Sequence, residues 1–142
     1  MAPQLPRERL MKQKATSPGK KTVLVVDNDE SIVRFVSGIL ENDYNILTAA
    51  NGAEGLQLSS DFKSEIDVLL SDFEMPGITG IELASKLTAE RPELKVLLMS
   101  GFRGGMLVLN EGWHFLPKPF VSSQLRALIV GMIPNENSKV SA

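Results

Sequence analysis

The sequence predicts an α/β doubly wound fold, one five-stranded parallel sheet with helices on both faces. Two observations carry this expectation. Short unbroken apolar runs take turns along the chain with apolar residues at helical spacing. Such alternation implies parallel pairing through right-handed crossovers, with helices laid on both sides of one sheet. No internal repeat or low-complexity tract competes with it.

The first run, Thr22-Val23-Leu24-Val25-Val26, lacks polar alternation and suits a strand buried on both faces. Ile32, Val33, Phe35, Val36, Ile39 and Leu40 then recur at helical spacing, with Asp29 placed to cap the start and Asn42-Asp43 to break the end. The alternation continues with a strand at 44–48, a helix around 53–60, a strand at 68–71 and a helix around 80–90. A strand at 94–99, a weak helical stretch near Met106, a strand at 113–116 and a last helix at 121–132 complete five strands and five helices.

Composition narrows the function classes. With 142 residues and 43% of them hydrophobic, the chain can bury a real core as one domain. It has no cysteine, which removes disulfide frameworks, thiolate zinc sites and cysteine nucleophiles. No apolar stretch approaches the roughly 18 residues of a spanning helix, and the basic start lacks a secretory apolar segment. A cytoplasmic protein with no membrane contact is expected.

Charge is unevenly spread. The first 21 residues hold Arg7, Arg9, Lys12, Lys14, Lys20 and Lys21 against Glu8, so the remainder is acidic. An acidic body argues against nucleic-acid binding by the domain itself, because displacing counterions from phosphates needs a basic face. Three units follow: a flexible basic arm over 1–20, a folded domain over 21–133 and a polar tail over 134–142.

Four strands end in, or run straight into, a reactive polar side chain: Asp27, Asp72, Ser100 and Lys118. In doubly wound sheets these positions share the carboxyl-end rim where ligands bind. Two carboxylates about 4 Å apart repel by roughly 4 kcal/mol at an effective dielectric near 20, so the cluster demands a cation. Hard oxygen donors select Mg2+, and magnesium keeps waters and positions for phosphoryl oxygens.

At these residues the chain resembles the receiver domain of two-component response regulators, the CheY-like family, over roughly residues 21–132. Val25-Val26-Asp27-Asn28-Asp29 resembles the acidic cluster after strand one, and Val68-Leu69-Leu70-Ser71-Asp72-Phe73-Glu74-Met75-Pro76-Gly77 the phosphoacceptor segment with its Met-Pro-Gly turn. Gly80 and Leu83 continue the match. Leu98-Met99-Ser100-Gly101-Phe102 is similar to the hydroxyl-bearing end of strand four, and Phe115-Leu116-Pro117-Lys118-Pro119-Phe120 to the Lys-Pro-Phe signature after strand five.

The resemblance implies the flavodoxin-like strand order 2-1-3-4-5 and a phosphorylation-controlled interaction module rather than a turnover enzyme, with slow hydrolysis of its own aspartyl phosphate. Asp72 would be the phosphoacceptor, and a phosphohistidine on a sensor histidine kinase or phosphotransfer protein the donor. Asp27, Asn28, Asp72 and the backbone carbonyl of Glu74 would hold Mg2+. Lys118 would neutralise a phosphoryl oxygen, Ser100 would bond another, and Phe115 would be the switch aromatic. A cis Lys118-Pro119 peptide is implied as well. Asn28 departs from the family, which usually has a second aspartate there, and weaker magnesium affinity is expected. Glu74 and Phe102 would border the path of the hydrolytic water.

Two rivals compete. Asp27-Asn28-Asp29-Glu30-Ser31 also resembles the Asp-x-Asp motif of haloacid-dehalogenase-like phosphatases, with Asp27 as nucleophile, yet no acidic pair follows Lys118 in the folded part. A flavodoxin-like electron carrier would need a phosphate loop after strand one, where this chain is acidic. Finally, Ser100 and Lys118 are close in sequence, Gly104-Gly105 opens the intervening stretch, and Met106-Leu107-Val108-Leu109 is apolar. Residues 103–111 are therefore expected to form a short or irregular fourth helix whose spare apolar surface docks a downstream protein or a second copy of the chain.

Overall fold

The computed structural model describes residues 17–101 and 113–133. Its strands are β1 (Thr22–Val26), β2 (Asn45–Ala49), β3 (Val68–Asp72), β4 (Lys95–Ser100) and β5 (Trp113–Pro117). Among the described residues the helices are α1 (Glu30–Leu40), α2 (Gly52–Asp61), α3 (Gly80–Glu90) and α4 (Ser122–Met132). The stretch 103–111 and Phe102 lie outside the described residues, as do most of the predicted arm and the whole predicted tail.

Every strand pair is parallel, and the sheet order is β2-β1-β3-β4-β5. This is the predicted architecture. Because β1, β3 and β4 each have neighbours on both sides, their side chains bury on both faces and their sequences read as continuous apolar runs. Val23, Val25, Leu70 and Leu97 pack with Val36, Ile39 and Leu40 of α1 and Leu125 and Ile129 of α4. Leu24, Val26, Leu69 and Leu98 pack on the other face with Leu58 of α2 and Leu83, Ala84 and Leu87 of α3. Each of these valines, leucines and isoleucines, taken from water, contributes roughly 1.5–3 kcal/mol.

Local chemistry fixes the helix starts. Asp29 caps α1 by accepting from the Ser31 N–H at 3.0 Å, and Asn51 caps α2 by accepting from the Glu54 N–H at 2.9 Å. Thr79 and Glu82 form a reciprocal capping box at α3. At α4 the Gln124 side chain accepts the Val121 N–H at 2.9 Å.

Four of the strands end one residue later than the apolar runs suggest, β2 at Ala49, β3 at Asp72, β4 at Ser100 and β5 at Pro117. Asp72 and Ser100 are the last residues of β3 and β4 rather than the first residues after them, because their backbones stay in the ladder: Asp72 pairs with Met99 and Ser100 with Pro117. No helix among the described residues is long and apolar enough to cross a membrane.

Candidate functional site

The parallel register brings the carboxyl ends of β1, β3, β4 and β5 level. Asp27 follows β1 directly, its N–H donating to the Ala49 carbonyl at 3.3 Å. Lys118 follows β5, its N–H donating to the Ser100 carbonyl at 2.7 Å, which ties the lysine backbone to the end of β4. The Lys118-Pro119 peptide is cis.

Three of the predicted side chains meet at one point. The Lys118 ammonium lies 2.9 Å from Asp27 Oδ2 and 3.1 Å from Asp72 Oδ1, bridging the two carboxylates. Asp27 Oδ1 accepts the Asp29 N–H at 2.8 Å, so the residue that caps α1 also anchors the first carboxylate. Side-chain exposure differs between the two acids: 0% for Asp27 and 12% for Asp72.

Burial pushes the Asp72 carboxyl above the usual aspartate range; the Lys118 hydrogen bond opposes this and the charge of Asp27 adds to it. Burial works against the Lys118 ammonium, but its hydrogen bonds to Asp27 and Asp72 and their negative charge outweigh that and hold its pKa above the ordinary lysine value. Asp29, on the exposed side, is held below the ordinary value by its Ser31 hydrogen bonds.

The other predicted residues surround this centre. Ser100 is buried at the end of β4, one strand from Asp72. Asn28 and Glu74 are exposed and adjoin Asp27 and Asp72 along the chain. Phe115 is half-buried, pairs with Leu98 in register, and packs on the α2 and α3 side of the sheet. Gly77 has φ +79, a conformation glycine adopts without strain, and it completes the Met75-Pro76-Gly77 turn that carries the chain away from Asp72.

Among the described residues no group of three or more His, Cys, Asp or Glu side chains is arranged to hold a metal ion. Among the described residues, two buried carboxylates, Asp27 and Asp72, meet at the rim. Two hard oxygen side chains, of which Asp72 keeps some exposure, fit magnesium, which binds through one or two carboxylates and keeps its waters, and they do not fit zinc or copper.

Residues 23–130 match the response regulator receiver domain. The chain belongs to that family. This receiver domain is 30% identical over 142 residues to sensor kinase CckA of Brucella abortus, covering 96% of this chain and 15% of that protein. It is 34% identical over 113 residues to the two-component response regulator-like protein PRR73 of rice, Oryza sativa, covering 75% of this chain and again 15% of the relative. It thus spans about one seventh of the length of either. Among solved structures, the receiver domain of hybrid histidine kinase CckA superposes with a TM-score of 0.70 at 28% identity, covering 79% of this chain and 98% of that one. Response regulator TrrA of Thermotoga maritima, solved in complex with Mg(2+)-BeF, superposes with 0.69 at 28% identity, covering 80% and 99%.

Several contributors to the receiver site were not visible along the chain. The Asp29 backbone bond to Asp27 has no side-chain signal. Ser71, whose hydroxyl donates to the Asp72 carbonyl at 3.0 Å, reads in sequence as one more strand position. Gly80 reads as a helix start, with nothing to show that it abuts the Asp72 backbone.

Proposed function

We propose that this receiver domain accepts a phosphoryl group on Asp72 from the phosphohistidine of a sensor histidine kinase or phosphotransfer protein, with Mg2+, and thereby switches a protein-interaction surface. The observation that carries this is the Lys118 bridge: one ammonium shared by two carboxylates, of which Asp72 is the more accessible. In the reaction an Asp72 oxygen attacks phosphorus in line and the histidine nitrogen leaves with the bonding pair. Catalysis is then a matter of position and charge.

Lys118, already 3.1 Å from Asp72, moves its charge onto a phosphoryl oxygen as that oxygen arrives. Asp27, Asn28, Asp72 and the Glu74 carbonyl would hold the magnesium ion, which would supply positive charge against the phosphoryl oxygens. Ser100 offers its hydroxyl to a further oxygen, and Phe115 turns inward behind it to report the change. The Thermotoga relative in complex with Mg(2+)-BeF supports the choice of metal. Receiver domains are signalling modules rather than classical enzymes, and slow hydrolysis of the aspartyl phosphate resets this one. The phosphatase reading is disfavoured because its nucleophile, Asp27, has no side-chain exposure and both of its oxygens are engaged.

The test is incubation with acetyl phosphate and magnesium followed by intact mass spectrometry. One phosphoryl group is expected on the parent and none on Asp72→Asn. Equal labelling of the two would remove Asp72 from the role, and turnover of a phosphomonoester that depends on Asp27 would restore the phosphatase.

A further inference from the structure

Two residues without an assigned part converge on one atom, the main-chain carbonyl oxygen of Asp72. Strand β3 cannot carry that atom out of the way, because Ser71 pairs with Val26 on β1, Asp72 pairs with Met99 on β4, and the Phe73 N–H donates to the Met99 carbonyl at 2.7 Å. On the helix side, the first residue of α3 is Gly80, whose N–H donates to the Phe73 carbonyl at 3.0 Å. A Cβ on Gly80 would overlap the Asp72 carbonyl oxygen and stand 3.0 Å from Phe73 Cα. Both are backbone atoms, with no rotamer to swing aside. On the strand side, the fully buried Ser71 hydroxyl donates to the same Asp72 carbonyl at 3.0 Å.

We propose that Gly80 and Ser71 are positioning residues for Asp72: the missing side chain at 80 lets α3 close on the Asp72 peptide, and the hydroxyl at 71 fixes that peptide's rotation. Together they set where the Asp72 carboxylate stands relative to Lys118. This inference rests on the reading of Asp72 as phosphoacceptor. A methyl group at 80 must push α3 outward or tilt the 72–73 peptide, and either motion moves the carboxylate and the 73–79 segment with it. Nothing at the reacting atoms themselves is removed.

The test compares the parent with Gly80→Ala, Ser71→Ala, Ser71→Thr and Gly55→Ala, each labelled with acetyl phosphate and magnesium well below its melting temperature. Gly55→Ala is the control for a methyl group added elsewhere beside the sheet, since its Cβ would meet the Val26 and Leu83 side chains at 3.3 and 3.5 Å and not the Asp72 peptide. Displacement of a reacting group by about 1 Å costs up to about a hundredfold in rate, so Gly80→Ala should be labelled about tenfold or more slowly and Ser71→Ala about threefold more slowly. Ser71→Thr, which keeps the hydroxyl, should recover most of the Ser71→Ala loss, and Gly55→Ala should be labelled at close to the parent rate. Gly80→Ala labelled like the parent, or slowed no more than Gly55→Ala, overturns the proposal. If Gly80→Ala does not fold, the Ser71 pair decides, and equal rates for the alanine and threonine variants overturn it. A parent that is not labelled defeats the phosphoacceptor reading instead. The 13C titration midpoint of the Asp72 carboxyl then settles the positioning: a shift in Gly80→Ala or Ser71→Ala but not in Gly55→Ala supports it, and no shift in any overturns it.

Discussion

The Lys118 ammonium stands 2.9 Å from Asp27, a carboxylate with no side-chain exposure at all. A buried charge is tolerated only with a partner, and removing one member of a buried pair typically costs about 3–5 kcal/mol. Lys118→Met should therefore lower stability by about 3 kcal/mol in urea denaturation, since the half-open rim softens the penalty. Magnesium should return part of that loss by taking the place of the ammonium. An unchanged midpoint would show that the bridge carries no weight.

Alkaline pH should dissolve the same bridge. The folded-state pKa of Lys118 lies above its ordinary value of 10.5, so the native state holds the proton more tightly than the unfolded one. Its contribution is complete below pH 10.5 and is lost as pH rises through the higher folded value. Thermal melts of the parent should fall toward those of Lys118→Met across that window, and a constant gap between the two would contradict the assignment.

Asp72 has the opposite effect at neutral pH. Burial raises its folded pKa above 3.8, so the native state again binds the proton more tightly, and stability drops as pH climbs through the window just above that value. Ionised Asp72 is thus a standing cost. Asp72→Asn keeps a hydrogen-bond acceptor for Lys118 without the charge, and should melt higher at pH 7 by about 3 °C, the shift of about 1 kcal/mol in a chain this size. The gain should vanish below pH 3.8, where both proteins are neutral at this position.

Asn28 is exposed beside Asp27 at the rim. Replacing it with aspartate adds an anionic hard ligand, and magnesium affinity should rise about tenfold by calorimetry, since ligand charge governs affinity in such sites. Equal or weaker binding by Asn28→Asp would place the ion away from residue 28.

Arg91 closes the far side of the molecule. Its guanidinium donates to Ser59 Oγ at 2.9 Å, to the carbonyls of Ser59 and Ser64 at 2.9 Å and to that of Phe62 at 2.8 Å, locking the end of α2 and the following loop to α3. A lysine cannot reproduce this planar fork, so Arg91→Lys should cost about 2 kcal/mol. Phosphorylation at Asp72 should be unaffected, which separates this clamp from the site.

Much of the molecule was legible in the chain itself. Val23 to Val26, Leu69 to Leu70 and Val96 to Met99 announce strands buried on both faces, because only a central parallel strand needs side chains that are apolar without alternation. Asp29 announces the start of α1 by the capping chemistry that it then performs, whereas the caps at Asn51 and Thr79 became apparent only in the folded chain. Asp27, Asp72, Ser100 and Lys118 announce the rim, since reactive polar residues at strand ends serve no packing purpose. These signals are local, carried by a residue and its near neighbours.

What the tertiary structure alone decided is which atoms touch. Lys118 lies 91 residues from Asp27 and 46 from Asp72, yet one ammonium joins them. Arg91 reaches across 32 residues to Ser59, and the Phe35 and Phe120 rings meet at 5.9 Å from α1 and the chain after β5. Gly80 was visible as a helix start, but only the close approach of α3 to β3 makes its missing side chain a condition for the Asp72 peptide to sit where it does. Sequence periodicity specifies which face of an element is buried. The distances between elements are set when all the layers pack at once, to interior densities that leave no room for one extra methyl group.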